Sequence, residues 1–126
     1  MPRPEVIVDF AIEDGLLNVT LKNAGGSSAY RVRTVFDKPF YGLGGEQCIS
    51  EMRLFREVAF MPPGKEFTQY VDVLMHYAAR KEPLRIKASV SYSDRDGNAY
   101  EETMAHDLRI ALELGRARII KEHGDQ

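Results

Sequence analysis

One β-hairpin constrains this chain more than any other feature of its sequence. Over residues 84–108, apolar and polar side chains alternate on both sides of a short turn, the pattern of two strands that share one buried face. A three-residue loop of Arg95, Asp96 and Gly97 would place Gly97 in the left-handed conformation that such loops require. The register that follows pairs Tyr92 with Tyr100, Ala88 with Met104 and Leu84 with Leu108 on one face, and Arg85 with Asp107 on the other.

Shorter alternating segments precede the hairpin, and each predicts a further strand because clusters of turn residues separate them. A stretch of helix formers over 74–81 ends shortly before Pro83 and predicts about two turns of helix. The predicted strands cover residues 5–12, 16–22, 29–36 and 67–73, and one or two shorter strands are expected in the segment 49–60 around Phe55.

The segment after Leu108 carries two apolar patterns at once. Alternation as far as Leu112 fits a continuing strand, whereas the spacing of three and four residues fits a helix. We expect the strand to reach about Leu112, with a short helix or a tail after it. The core of the domain is therefore expected over about 5–112 and the C-terminal tail over about 113–126.

About seven short strands in a chain of 126 residues predict a single all-β domain. The expected architecture is an immunoglobulin-like sandwich of two antiparallel sheets, because the turn signals recur at the short spacing typical of that fold. The side chains expected in its core are Leu17, Val19, Leu21, Tyr30, Val32, Phe36, Ile86, Val90, Tyr92 and Tyr100.

Three turn-centred motifs follow one another along the chain: LNVTLKNAGGSSAYRV at residues 17–32, FMPPGKE at 60–66 and VSYSDRDGNAY at 90–100. In this order they resemble the bacterial and archaeal immunoglobulin-like domains of the CARDB type. The resemblance implies an immunoglobulin-like fold and a role in adhesion or assembly, and it brings no catalytic residues. The segment 37–60 and the tail after Leu108 depart from the pattern of that family.

Composition and charge exclude several classes of function. The formal net charge is −2 with acidic and basic residues interleaved, so no nucleic-acid partner is expected. No apolar run approaches the roughly 18 residues of a membrane span, and no signal-peptide pattern is present, so no membrane insertion is expected. Cys48 is the only cysteine, which rules out an intramolecular disulfide. These features favour a cytoplasmic location, for either a complete protein or a domain of a longer one.

No arrangement of side chains in the sequence predicts catalysis. His76, His106 and His123 are too far apart for a zinc motif, and Cys48 has no base beside it. The acidic turn 94–98 is similar to part of a calcium loop, but it lacks the oxygen ligands at the first and twelfth positions. We therefore expect no enzyme activity, no metal and no cofactor.

The loop over 40–45 is the first candidate for a binding site, because it combines glycines with the apolar residues Phe40, Tyr41 and Leu43. Loops on a rigid sandwich often carry binding residues. These side chains either cover the edge of the core or are displayed to a partner. The covering role is favoured, because exposed apolar clusters are uncommon on monomers.

A second candidate is a basic face. The third strand and the first arm of the hairpin are expected to be neighbours in one sheet. Their outward positions would then place Arg31, Arg33, Arg85 and Lys87 on the same face. This face is either a solvated surface balanced by nearby carboxylates, which is favoured, or a docking surface for an acidic partner.

These features predict a non-enzymatic domain that mediates protein–protein interaction or scaffolding. Its partner would be another protein or a second copy of itself, since the edge strand of a sheet can pair with another chain. The alternative is a carbohydrate- or small-ligand-binding sandwich that uses Tyr41, Phe40 and His76. The absence of tryptophan from the sequence counts against this alternative, because sugar sites favour exposed aromatic platforms.

Overall fold

The computed structural model describes residues 2–114, which form two antiparallel sheets packed face to face around one core. The helical parts of this range are two 3-10 turns, Leu43–Gly45 and Ile49–Glu51, the short helices α1 (Arg53–Arg56) and α2 (Leu74–Ala79), and residues 109–114. The strands are β1 (Val6–Glu13), β2 (Leu16–Asn23), β3 (Ala29–Phe36), β4 (Tyr41–Gly42), β5 (Gln47–Cys48), β6 (Val58–Met61), β7 (Glu66–Val73), β8 (Arg85–Ser93) and β9 (Ala99–Asp107).

One sheet has the strand order β1-β2-β7 and the other has the order β6-β3-β8-β9, while β4 and β5 form a separate two-stranded ribbon. Across the core, β1 packs against β8 and β9. This division of the strands between two antiparallel sheets confirms the predicted all-β, immunoglobulin-like sandwich. Among residues 2–114, no helix is long and apolar enough to cross a membrane.

The hairpin of β8 and β9 has the predicted register. The N–H of Leu108 donates to the carbonyl oxygen of Leu84 at 2.7 Å, and Gly97 has a φ of 85° in the connecting loop. Alternation and turn chemistry therefore agree with the observed pairing. The cross-strand pairs are Tyr92 with Tyr100, Ala88 with Met104, and Arg85 with Asp107.

Most of the predicted core side chains are buried between the two sheets. Tyr30, Phe36 and Tyr100 lie at the rim of the core and are half-buried. The connections between strands contribute large side chains that the strand pattern did not predict, among them Phe55 and Tyr77. The predicted core residues that are fully enclosed are Leu17, Val19, Leu21, Val32, Ile86, Val90 and Tyr92.

Of the short strands predicted in the segment 49–60, one is found as β6, which begins at Val58, but their placement around Phe55 is wrong, because Phe55 lies in α1. Its N–H donates to the carbonyl oxygen of Met52 at 2.9 Å, and its ring meets that of Phe36 edge-on with the centroids 4.9 Å apart. In a strand, Arg53 would share the buried face of Phe55, since residues two apart point the same way. A helical turn buries the aromatic ring while Arg53 and Arg56 stay exposed.

The expected extension of the last strand to Leu112 is also wrong. Strand β9 ends at Asp107, and the chain is helical over 109–114. The carboxylate of Asp107 accepts the N–H of Arg109 at 3.0 Å, as an N-cap side chain does at the start of a helix. Leu108 and Leu112 are both buried, four residues apart. The rest of the predicted tail, residues 115–126, lies outside the described residues.

Candidate functional site

A crossing segment, residues 37–57, runs from the end of β3 over the flank of the sandwich to β6, and the part at 40–48 is called the Leu43 loop below. The first residue of the Leu43 loop, Phe40, is fully buried. The ring of Phe40 lies edge-on to those of Phe10 and Phe36, with centroid distances of 5.6 and 5.0 Å. Phe40 therefore covers the core and is unavailable as a surface contact.

Tyr41 and Leu43, by contrast, lie on the surface and are 39% and 48% exposed. Between them, Gly42 sits against the backbone carbonyl of Val71 in β7, so closely that a Cβ atom would clash. The absence of a side chain at Gly42 thus lets the loop press onto the edge of the sheet. Two of the three predicted side chains are displayed there, and the third is part of the core.

Three charged side chains hold the backbone of the Leu43 loop in place. The carboxylate of Asp72 accepts the N–H of Gly44 at 3.0 Å, and the guanidinium of Arg80 lies 2.7 Å from the same carboxylate. Arg80 also donates to the carbonyl oxygen of Tyr41 at 3.1 Å, while Glu82 accepts the N–H of Tyr41 at 2.9 Å. The loop is therefore fixed by hydrogen bonds to charged groups, which are among the stronger ones in proteins.

The carboxyl group of Asp72 is well suited to this anchoring role. Its burial would by itself raise the pKa, but the hydrogen bonds from Gly44, Arg80 and Val73 outweigh that effect. The pKa of Asp72 is therefore lower than usual, and its carboxyl group is ionised at neutral pH. The sequence analysis missed Asp72 and Arg80. The sequence did contain one indication of this contact: Asp72 lies inside the otherwise uncharged run 70–74, and a buried charge needs a partner.

The backbone of Leu43 is strained. Its φ is 51°, in the left-handed region, which costs a residue with a Cβ atom about 1 kcal/mol or more. Burial of the Leu43 side chain offsets little of this cost, because the residue is 48% exposed. An apolar side chain in a strained, exposed position is a poor choice for stability alone, and such outliers cluster at functional sites.

Further exposed apolar side chains lie at the same end of the sandwich as Leu43. The turn Leu43–Gly45 packs against α2, whose Met75 is exposed. The N–H of Leu74 donates to the carbonyl oxygen of Gly15 at 2.9 Å and so ties the turn between β1 and β2 to the start of α2. We call this surface the apolar end, and it contains Ile12, Leu16, Tyr41, Leu43 and Met75.

The four predicted basic residues, Arg31, Arg33, Arg85 and Lys87, are all exposed, and β3 is paired with β8 as expected. They do not form a single cluster, however. Arg33 lies opposite Ser91 near one end of β8, whereas Arg85 and Lys87 lie near the other end.

Nearby carboxylates also balance this basic face. The guanidinium of Arg33 lies 2.9 Å from the carboxylate of Glu57, and Asp107 lies directly opposite Arg85. This geometry favours a solvated face over a docking surface for an acidic partner.

The acidic turn 94–98 uses its oxygens within the hairpin. One carboxylate oxygen of Asp94 accepts the N–H groups of Asp96 and Asn98, and the other accepts the hydroxyl of Tyr100 at 2.9 Å. The hydrogen bond from the side chain of Asn98 contributes most to the lowered pKa of Asp94. Within the part of the chain that the structure describes, no group of three His, Cys, Asp or Glu is placed to hold a metal ion.

Fold and site together define an immunoglobulin-like sandwich domain with a rigidly held, partly apolar loop at one end. The chain belongs to a family described as a domain of unknown function, DUF8453, whose model matches residues 1–111. No curated protein and no solved structure matches the chain significantly. The resemblance to CARDB-type domains gains no support from these comparisons and stays a prediction.

Proposed function

We propose that this protein is a non-enzymatic interaction domain that binds a partner protein through the Leu43 loop. The observation that carries the proposal is Leu43 itself, an apolar side chain that is both strained at its backbone and exposed. Strain of this kind persists only when the surrounding structure enforces it. Here the enforcing contacts are two hydrogen bonds of the loop backbone: the N–H of Gly44 donates to the carboxylate of Asp72, and the carbonyl oxygen of Tyr41 accepts from Arg80.

A loop held in this way can bind tightly with few contacts. A flexible loop loses conformational entropy when it is ordered by a partner, whereas a loop that is already fixed loses little. Leu43 then acts as an apolar anchor that inserts into a pocket of the partner, with Tyr41 and Met75 beside it on the apolar end. Such an arrangement fits a partner protein better than it fits a small polar ligand.

The alternative of a carbohydrate or small-ligand site is less well supported. It required Phe40, Tyr41 and His76 as contact residues, and Phe40 is fully buried in the core. A single exposed tyrosine ring remains in the Leu43 loop to stack on a sugar. The protein-binding interpretation is therefore the one we carry forward.

Site-specific crosslinking in the native host tests the proposal. A photoreactive phenylalanine analogue at position 41 should give one discrete crosslinked product, and Leu43→Gly in the same chain should abolish it. The matched control is the analogue at Thr103, which is exposed on β9 in the other sheet. A product of twice the chain mass identifies a second copy as the partner. Equal crosslinking from positions 41 and 103, or no effect of Leu43→Gly, would refute the proposal.

The stability of Leu43→Gly separates a binding role from a structural one. Glycine adopts a positive φ without a steric penalty, so the variant should melt at the parent temperature or a few degrees above it. A clear loss of stability would mean that the Leu43 side chain packs against the domain and that the defect in binding is indirect.

A further inference from the structure

Strand β3 contains a bulge near its start, at Arg31. Tyr30 lies opposite Ser93 in β8 and Arg33 lies opposite Ser91, so three steps along β3 match two steps along β8. One extra residue on one strand is the mark of a β-bulge, which bends the strand and re-aims a side chain. Because bulges are over-represented next to active sites, this part of the sheet is a candidate for a second site.

The backbone of Arg31 is strained, as that of Leu43 is. Its φ is 53°, in the left-handed region, where glycine is the usual residue of a bulge. The other non-glycine residues with positive φ among residues 2–114 lie in turns, namely Asp14, Leu43 and Lys81. Arg31 is exposed, so burial of its side chain does not offset the strain. Its guanidinium group therefore calls for a functional explanation.

Arg31 lines a shallow cleft of about 460 Å³ on the outer face of the four-stranded sheet, which we call the Arg31 cleft. Arg33, Ser91 and Ser93 line the same cleft. Two guanidinium groups and two hydroxyl groups can therefore donate hydrogen bonds to one ligand there. Donors of this kind favour an anionic ligand with several oxygen atoms.

The free positive charge of the Arg31 cleft belongs to Arg31. The guanidinium of Arg33 lies 2.9 Å from the carboxylate of Glu57, and Glu101 lies on the far side of β8 from Arg33, with Ser91 between them. Within residues 2–114, Arg31 forms no ion pair and is exposed. An anion can therefore pair with Arg31 without displacing a carboxylate of the described chain.

An aromatic pair borders the Arg31 cleft on the side of β6. Phe60 lies opposite Tyr30, and the centroids of the two rings are 5.3 Å apart. Phe60 is 49% exposed, and Tyr30 directly precedes Arg31 in β3. An apolar group of a ligand can thus lie on Phe60 while an anionic group of the same ligand lies at Arg31.

We propose that the Arg31 cleft binds a phosphorylated segment of a partner protein. The phosphate accepts hydrogen bonds from the guanidinium of Arg31 and the hydroxyl of Ser93, and a neighbouring apolar side chain of the segment packs on Phe60. Guanidinium groups match the oxygens of a phosphate, and arginines recur in the recognition of phosphorylated motifs. A shallow cleft suits a peptide that passes across it, whereas small-molecule sites enclose most of their ligand.

Peptide titration followed by NMR tests this proposal. The probe is a short peptide with one phosphoserine between two leucines. Its binding should shift the amide signals of Arg31, Ser93 and Phe60, and the same peptide without phosphate should bind about tenfold more weakly or worse. Inorganic phosphate, which has no apolar group, should bind more weakly than the phosphopeptide and leave the signal of Phe60 in place.

Arg31→Gly separates binding from stability. Glycine adopts a positive φ without a steric penalty, so this variant should melt at the parent temperature or above it. It should nevertheless bind the phosphopeptide about tenfold more weakly or worse, because the free guanidinium is lost. The matched control is Lys87→Ala, which removes an exposed cation near the other end of β8 and should change binding by about twofold at most.

Two further variants locate the contact. Phe60→Ser should weaken binding of the phosphopeptide and leave binding of inorganic phosphate unchanged, because only the peptide has an apolar group. Leu43→Gly should leave binding of the phosphopeptide unchanged, because the Leu43 loop follows the end of β3 and Arg31 lies near its start. Either proposal can therefore fail without the other.

Several results would overturn the inference. These are no binding of the phosphopeptide up to about 1 mM, equal effects of Arg31→Gly and Lys87→Ala, or a clear loss of stability in Arg31→Gly, which would give its side chain a structural role. Equal affinity for inorganic phosphate would show an anion site only. Equal affinity for a single-stranded oligonucleotide would assign the cleft to nucleic acid in place of a phosphorylated protein.

Discussion

The guanidinium of Arg80 lies 2.7 Å from the carboxylate of Asp72, and the two side chains are only 24% and 8% exposed. Asp72 belongs to β7, and Arg80 directly follows α2. Each also bonds to the backbone of the Leu43 loop, to Gly44 and Tyr41 respectively. This ion pair thus joins a strand, the end of a helix and the candidate binding loop, so the loop geometry should depend on it.

Replacing Asp72 tests this dependence. Asp72→Asn removes the carboxylate 2.7 Å from the guanidinium of Arg80 and leaves only that of Glu82, at 3.8 Å. The free energy of unfolding should therefore fall by about 3 kcal/mol, the lower end for a broken buried pair. Urea denaturation measures the change. Glu66→Gln is the control, because Glu66 and Lys22 form an exposed pair at 3.9 Å. Such pairs contribute about 1 kcal/mol at most. Equal effects of the two variants would argue against the anchoring role of Asp72.

The same carboxylate should contribute a pH dependence in the acid range. Because the pKa of Asp72 is lower in the folded state than its ordinary value of 3.8, its contribution to stability is fully present above that value. It is lost as the pH falls through the lower, folded-state pKa. The difference in the free energy of unfolding between the parent and Asp72→Asn should therefore stay constant between about pH 5 and pH 7. It should shrink below about pH 4. Denaturation curves at several pH values measure it, and a difference that grows in acid would contradict the assignment.

Phe40 should behave as a core residue. Phe40→Ala removes a buried ring that contacts Phe10 and Phe36, and it should lower the free energy of unfolding by about 3–5 kcal/mol. Thermal and chemical denaturation provide the measurement. Tyr41→Ala, one residue further along the chain, should cost about 1 kcal/mol or less, because that side chain lies on the surface. Similar losses from the two variants would mean that Tyr41 is packed as Phe40 is.

Gly97 should be replaceable only by residues that tolerate a positive φ. Gly97→Val should destabilise the domain by about 1 kcal/mol or more through backbone strain alone, because no atom lies within 4 Å of where its Cβ would be. Gly97→Asn should cost less, since asparagine enters the left-handed region more readily. Melting temperatures compare the two. A valine variant as stable as the parent would contradict the hairpin geometry.

The sequence determined the hairpin and the sandwich. Strand alternation and turn chemistry are local properties, and the strands of a hairpin are adjacent in the chain, so Arg95, Asp96 and Gly97 set the register by themselves. The same reasoning placed the helix near 74–81, where α2 is observed. The burial of alternate residues then followed, because one face of each sheet must be covered.

Local patterns failed where two of them coincide. Leu108 and Leu112 are four residues apart, a spacing that fits both a strand face and a helix face. The capping carboxylate of Asp107 and the docking of both leucines in the core decide for the helix. The ring of Phe55 could be buried by a strand or by a helical turn. The helical turn, which keeps Arg53 out of the core, is favoured only once the segment packs on the flank of the assembled sandwich.

The candidate sites were decided by the tertiary structure. Gly44 and Asp72 are 28 residues apart, and Tyr41 and Arg80 are 39 apart, so no local pattern could show that charged groups hold the Leu43 loop. Those contacts form only when the crossing segment lies over β7, and this packing buries Phe40 and exposes Leu43.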